Sequence, residues 1–222
     1  MTDDQAATLR MVMSGMKEPE KEKPESEATV WTIPHKVVVV AGGKRGAGCS
    51  TITANLVAEA AHRGIRAIRV GAEILRAALP EKKPDYYLLD AGAGVDFEGI
   101  ADFLVLVATP ERDAITGAYV ALKRFRKSDP ELSTGIVMNR VRTPGEGAAL
   151  GERIASAATS LLGGPRVEVL GWVLEDLEVA RARCDRGPVV VTSPRSAAAT
   201  GIRLCARTLW GHWRPRWSAA AA

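Results

Sequence analysis

Only three cysteines occur in the 222 residues, Cys49, Cys184 and Cys205. They are too scattered for a metal-ligand spacing and are odd in number, so they exclude a disulfide framework and suit a reducing compartment. No stretch of 18 apolar residues occurs, and the first residues are acidic rather than a basic region leading into an apolar core. Neither a membrane-spanning helix nor a secretory signal is therefore expected, and the expected location is the cytoplasm. Internal repeats are lacking too. Acids are missing from one end: nothing after Asp185 is acidic, whereas six arginines follow it, at positions 186, 195, 203, 207, 214 and 216. The net charge of +4 thus hides an asymmetry, because residues 1–29 carry seven acids against four bases. A basic C-terminal face can meet an anionic surface or serve as a solvated face. Nucleic acid is disfavoured, since no base-reading motif accompanies the arginines.

What is present is a chain with 46% hydrophobic residues, long enough for one substantial core with tails. Residues 2–16 read as a short helix, with Thr2 and Gln5 spaced as a capping box and Leu9, Val12, Met13 and Met16 on one stripe. Residues 17–35 open with a run rich in Glu, Lys and Pro and read as a flexible linker. From residue 36 onward, strand candidates at 36–41, 66–70, 86–90, 103–108, 135–139, 167–173 and 188–191 alternate with helical periodicity at 52–61, 112–126, 146–162, 174–186 and 196–210. Residues 73–79 supply a short crossover helix. This alternation predicts an α/β fold of three layers, a mostly parallel sheet with helices on both faces. Ligands on such a sheet bind beyond the carboxyl ends of the strands.

At that place, between the first strand and the first helix, lies Gly42-Gly43-Lys44-Arg45-Gly46-Ala47-Gly48-Cys49-Ser50-Thr51. Glycines let backbone N–H groups curl around phosphate at a helix N-terminus, while a lysine reaches the outer phosphates and Ser or Thr holds magnesium. Gly43, Gly48 and Ser50 fit that pattern, but Cys49 stands where the lysine belongs. A thiol supplies neither fixed charge nor a strong donor. One charge-assisted hydrogen bond is worth roughly 1.5–3 kcal/mol, and phosphoryl transfer suffers more than binding from its loss. Arg45 adds a charge that either substitutes for the lysine or points to solvent. Cys49 is either a thiol activated at a helix N-terminus or simply a small residue.

The loop resembles the deviant Walker A loop K-G-G-x-G-K-[ST] of the MinD/ParA family of P-loop ATPases, with Lys44 at the signature lysine and Gly46, Gly48 and Ser50 in place, whereas Arg45 and Cys49 depart. Asp85-Tyr86-Tyr87-Leu88-Leu89-Asp90-Ala91-Gly92-Ala93-Gly94 resembles the family's D-[YF]-x-x-[IL]-D-x-G-A-G segment. Thr109-Pro110-Glu111-Arg112-Asp113-Ala114-Ile115-Thr116-Gly117-Ala118-Tyr119 resembles T-P-E-x-x-A-[IL]-T-D-A-Y, and Val137-Met138-Asn139-Arg140 resembles the strand whose asparagine meets adenine. The resemblance covers roughly residues 36–210. It implies ATP and Mg²⁺ as cofactors, with Gly43, Lys44, Gly46, Gly48, Cys49, Ser50, Thr51, Asp90 and Asn139 at the nucleotide and Ser50 and Asp90 at the metal. It also implies an ATP-dependent homodimer in which Lys44 reaches the partner's phosphates.

Asp4-Gln5-Ala6-Ala7-Thr8-Leu9-Arg10 further resembles D-Q-A-x-x-L-R, the opening of the FlhG/YlxH (FleN) branch, regulators of flagellar number and placement. That resemblance implies Asp4, Gln5, Leu9 and Arg10 as contacts to the signal-recognition-type GTPase FlhF, with basal-body components as further partners. Two departures argue against hydrolysis. Cys49 replaces the loop lysine, and Val70-Gly71-Ala72-Glu73 puts Gly71 where V-D-A-D carries the water-positioning acid. The connection from Val70 to Tyr86 is also far shorter than the family's. The resulting expectation is a pseudo-ATPase that acts by binding; the alternative is a working ATPase switch. Residues 211–222, basic and Trp-rich, form a tail suited either to contact with an anionic membrane at the inner face of the cell or to the end of a packing helix.

Overall fold

The computed structural model describes residues 36–71, 84–93, 97 and 99–212, all within the unit Ile33–Ala222. The partner helix at 1–16, the linker at 17–35, the crossover at 73–79 and the tail from 213 lie outside the described residues. Six strands form one parallel sheet: β1 Lys36–Gly42, β2 Ala67–Val70, β3 Tyr86–Gly92, β4 Phe103–Ala108, β5 Thr134–Val141 and β6 Glu168–Leu174, in the order β2-β3-β1-β4-β5-β6. The helices are α1 Cys49–His62, α2 Arg112–Ser128, α3 Pro144–Leu162, α4 Leu177–Cys184, the single turn α5 Val189–Thr192 and α6 Ala197–His212. The α/β class and the parallel sheet follow the sequence reading.

The alternation inside β1 explains the three layers. Val37, Val39 and Ala41 face one core, shared with Ala118, Leu122 and Phe125 of α2 and Ile154 and Ala158 of α3. Val38 and Val40 face the other, shared with Ile52 and Leu56 of α1 and Ile202, Cys205 and Leu209 of α6. Both faces of β1 are fully buried, which is why it reads as an unbroken apolar run. With β3 on one side and β4 on the other, β1 sits where the connections change direction, so a crevice opens beyond its carboxyl end.

Local chemistry sets the helix starts. Thr143 accepts from the Glu146 N–H at 3.1 Å and Glu146 accepts from the Arg142 N–H at 2.7 Å, so α3 begins at Pro144, two residues ahead of the periodicity. Asp176 caps α4 by accepting from the Glu178 N–H at 2.9 Å, and its other oxygen accepts from the Ala198 N–H at 3.0 Å in the first turn of α6. The helical segment expected over 174–186 therefore loses Leu174 to β6.

One expected strand is absent. Residues 188–191 form the turn α5, started by Pro188 at φ −66°. Val189 and Val190 are buried, and the Val190 N–H donates to Asn55 Oδ1 at 3.0 Å. A short apolar run carries no period that separates strand from helix, and here it plugs the gap above α1 instead of extending the sheet. The C-terminal stripe Ile202, Ala206 and Leu209 is spent on the core, and Trp210 packs against Tyr86 with ring centroids 4.9 Å apart and planes tilted by 52°. Among the described residues no helix is long and apolar enough to cross a membrane.

Asp176→Ala should destabilise the domain by about 1–2 kcal/mol, the usual worth of a helix cap. The two backbone N–H donors hold the Asp176 carboxyl below the usual range, so its contribution is complete above the unfolded value and is lost as pH falls through the lower folded one. Urea melts at neutral pH and below about pH 4 should show the gap between wild type and variant closing in acid. A gap that persists there contradicts the assignment.

Candidate functional site at the carboxyl end of β1

Residues 43–48 turn from β1 into α1, and their shape depends on two close approaches. Gly43 lies against the backbone of α2, where a Cβ on either Gly43 or Gly117 would overlap the other segment's main chain. Gly117 stands where the family pattern has aspartate. Gly48 precedes α1 at φ 100°, and a Cβ there would run into the Asn139 amide. That amide, on β5 and 7% exposed, donates to the Ala47 carbonyl at 2.8 Å. Asn139, expected at adenine, thus braces the loop with its Nδ2.

The expected cations and anions of the site have found partners within the chain. Lys44 Nζ donates to both Asp113 oxygens at 3.1 Å and lies 4.0 Å from Glu111. The Lys44 ammonium holds the Asp113 carboxyl below its usual value. Glu111 also accepts from Arg140 Nη2 at 3.2 Å. Arg45 is exposed, with no hydrogen bond or ion pair among the described residues. Asp90, at the end of β3 with its side chain 10% exposed, accepts at Oδ2 from Arg69 Nη2 at 2.6 Å. Its Oδ1 is buried without a hydrogen-bond partner. Ser50 is exposed in the first turn of α1, Thr51 is half-buried beside it, and Gly71 lies just past β2.

Cys49 is 5% exposed, with its thiol 3.7 Å from the Gly92 carbonyl. Burial, then the negative charge of Asp90, pushes its pKa up to about 12, so the thiol is neutral and of the two readings the small inert residue holds. Residues 43–48 and the exposed Ser50 lie at the strand-to-helix turn where a phosphate loop holds its ligand. The side chains as placed do not fit a magnesium ion, because one Asp90 oxygen is committed to a guanidinium, the other is buried, and the residue beside them is a neutral thiol.

Arg69 is the residue that the sequence reading missed. It pairs across the sheet with Leu88, so the strand period puts it on the same face as Asp90, two positions further along β3. A lone arginine in Ala67-Ile68-Arg69-Val70, beside a strand ending in aspartate, is the signal that could have revealed it. Asp113 and Arg140 were visible only as parts of motifs, and their ion pairs follow from the approach of α2 and β5 to the loop.

No protein-family model matches the sequence. Over 94 residues, 40% of this chain, it is 34% identical to the flagellum site-determining protein YlxH of Helicobacter pylori, and it spans about a third of that relative's length, 31%. Among solved structures, the MinD cell division protein of Aquifex aeolicus superposes with a TM-score of 0.61 at 18% identity, covering 81% of this chain and 98% of that one. The septum site-determining protein MinD of Pyrococcus horikoshii, complexed with Mg-ADP, gives 0.60 at 17% identity over 79% and 96%. A plasmid partition protein of Borrelia burgdorferi bound to AMPPNP gives 0.61 at 13% over 81% and 100%. The fold is that of the MinD/ParA proteins.

A thiol reagent such as Ellman's should titrate Cys184 alone in the native protein, because Cys49 and Cys205 are buried, and should titrate all three cysteines after denaturation. Rapid modification of Cys49 in the folded state contradicts the inert-thiol reading.

Proposed function

We infer that this member of the MinD/ParA family regulates flagellar number or placement by binding partners rather than by turning over ATP. The observation that carries the reading is the sequence similarity to a flagellum site-determining protein. The motif Asp4-Gln5-Ala6-Ala7-Thr8-Leu9-Arg10 also supports it, since apolar residues at helical spacing with Gln5 and Arg10 among them suit docking in a groove of an FlhF-type GTPase. The domain from β1 to α6 then serves as a scaffold, acting in the cytoplasm or at the inner face of the membrane, where basal-body components are accessible. The lost lysine at Cys49, the missing acid at Gly71 and the ion pair on Asp90 support a pseudo-ATPase.

The second reading, an ATPase switch that dimerises on ATP, draws on the intact cradle around Gly48 and on Ser50. In that reading Lys44 must leave Asp113 to reach a partner's phosphates, and Asp90 must leave Arg69 to meet a metal.

The test measures GTP hydrolysis by the cognate FlhF-type protein with the full chain, with a peptide of residues 1–16, and with a Gln5→Ala/Leu9→Ala/Arg10→Ala variant. Stimulation by the full chain and peptide but not by the variant is expected. Absence of both binding and stimulation by the peptide overturns the proposal.

A further inference from the structure

A second cationic site lies beside the glycine loop. Along the flank of α1, facing α4 and α5, a cleft of about 420 Å³ is lined by Arg69, Arg183 and Arg186 together with Ser50, Thr51 and Asn55. No acidic residue lines it, and neither do residues 43–48 of the glycine loop. Arg69 is the only one of the three guanidiniums with a carboxylate partner among the described residues, and that partner, Asp90, holds one edge while the rest of the group is exposed. Arg183 and Arg186 are exposed, with no ion pair among the described residues. Asn55 is already satisfied, donating to the Thr51 carbonyl at 2.8 Å and accepting from Val190, so it shapes the wall.

Arg186 stands there at a conformational cost. Its φ is 55°, a left-handed backbone found among the described non-glycine residues only here and at Arg140. This is the position after α4 where glycine is usual, and glycine is the very next residue, Gly187. The chain thus keeps a strained arginine at the mouth of the cleft although the unstrained residue is adjacent.

We propose that this cleft binds the diphosphate group of a small molecule without a divalent cation, its charge met by Arg69, Arg183 and Arg186 and its oxygens by the Ser50 and Thr51 hydroxyls. Two guanidiniums unpaired among the described residues, with a third shared with Asp90, favour a multiply charged anion over a single carboxylate, and guanidinium forks match phosphate oxygens. The volume is within the range of small-ligand pockets. Because Arg69 serves both Asp90 and the ligand, occupancy of the cleft bears directly on the carboxylate at the end of β3. The inference stands apart from the partner-binding reading and is tested without a partner.

The experiment is titration calorimetry of the full chain with inorganic pyrophosphate and, in parallel, ADP, each in EDTA and in magnesium. It is repeated on an Arg183→Gln/Arg186→Gly variant, which places glycine at the left-handed position and so relieves strain; an unchanged thermal melt certifies its fold. Pyrophosphate should bind the wild type in EDTA, and the variant should bind it at least about tenfold more weakly, as expected for losing charge-assisted hydrogen bonds. ADP binding of equal strength to pyrophosphate identifies the diphosphate alone as the ligand, and stronger ADP binding assigns further contacts to the nucleoside. No pyrophosphate binding in EDTA, binding that requires magnesium, or undiminished binding by the variant overturns the proposal.

Discussion

A carboxylate almost enclosed at the end of a buried strand must find a positive partner, and Asp90 finds it in Arg69 at 2.6 Å. Removing the guanidinium leaves an almost enclosed carboxylate without its partner, and because Arg69 is itself nearly half exposed the cost falls below the roughly 3–5 kcal/mol of a fully buried pair. In a site equipped for nucleotide, the loop lysine and a magnesium ion would share that duty. Here Cys49 offers a neutral thiol instead, its pKa pushed up to about 12 by burial first and by the neighbouring Asp90 carboxylate second. The guanidinium from β2 supplies the positive partner that Cys49 cannot, so the Asp90 charge is met within the chain.

The loop above this pair keeps its shape without a phosphate-binding lysine because its restraints are in the backbone and in Asn139. Contact of Gly43 with Gly117 brings α2 against the loop, and the Asn139 amide joins β5 to Ala47. Lys44, drawn to Asp113 and Glu111, adds an ion pair across the same crevice. Exposed pairs of this kind contribute little to stability, but they decide what the lysine is free to do. The geometry therefore separates two properties that P-loop proteins combine: a cradle with the form for phosphate, and a set of charges for chemistry. In this chain the glycine loop stands in place, while Lys44 and Asp90 are paired with other residues of the same chain.

Most of the fold was legible because its signals are local. The buried run 37–40, the periodicity of α1, α2 and α6, and the glycines before Ser50 each declare an element within a few residues. What was not legible depends on tertiary neighbours. Val189 and Val190 look like a strand until α1 is seen to supply Asn55 as the acceptor for the Val190 N–H. Asp176 looks like the interior of a helix until it is seen capping two helices at once. In the site, the departures at Cys49 and Gly71 could be read directly, whereas the role of Arg69 required knowing that β2 pairs with β3 in a register that sets it diagonally behind Asp90. A motif reports which residues a family uses; it does not report which other residue of the chain has claimed them.

The proposed scaffold role requires that the Asp90–Arg69 pair keep metal-dependent phosphoryl transfer from occurring at the end of β3. Its most direct test is steady-state phosphate release from ATP with excess magnesium by the purified wild-type chain, measured across protein concentrations high enough to drive dimer formation. Release indistinguishable from the buffer background is expected at every concentration. Magnesium-dependent turnover that scales with protein would contradict it, because Asp90 would then have to exchange Arg69 for a metal ion during each cycle.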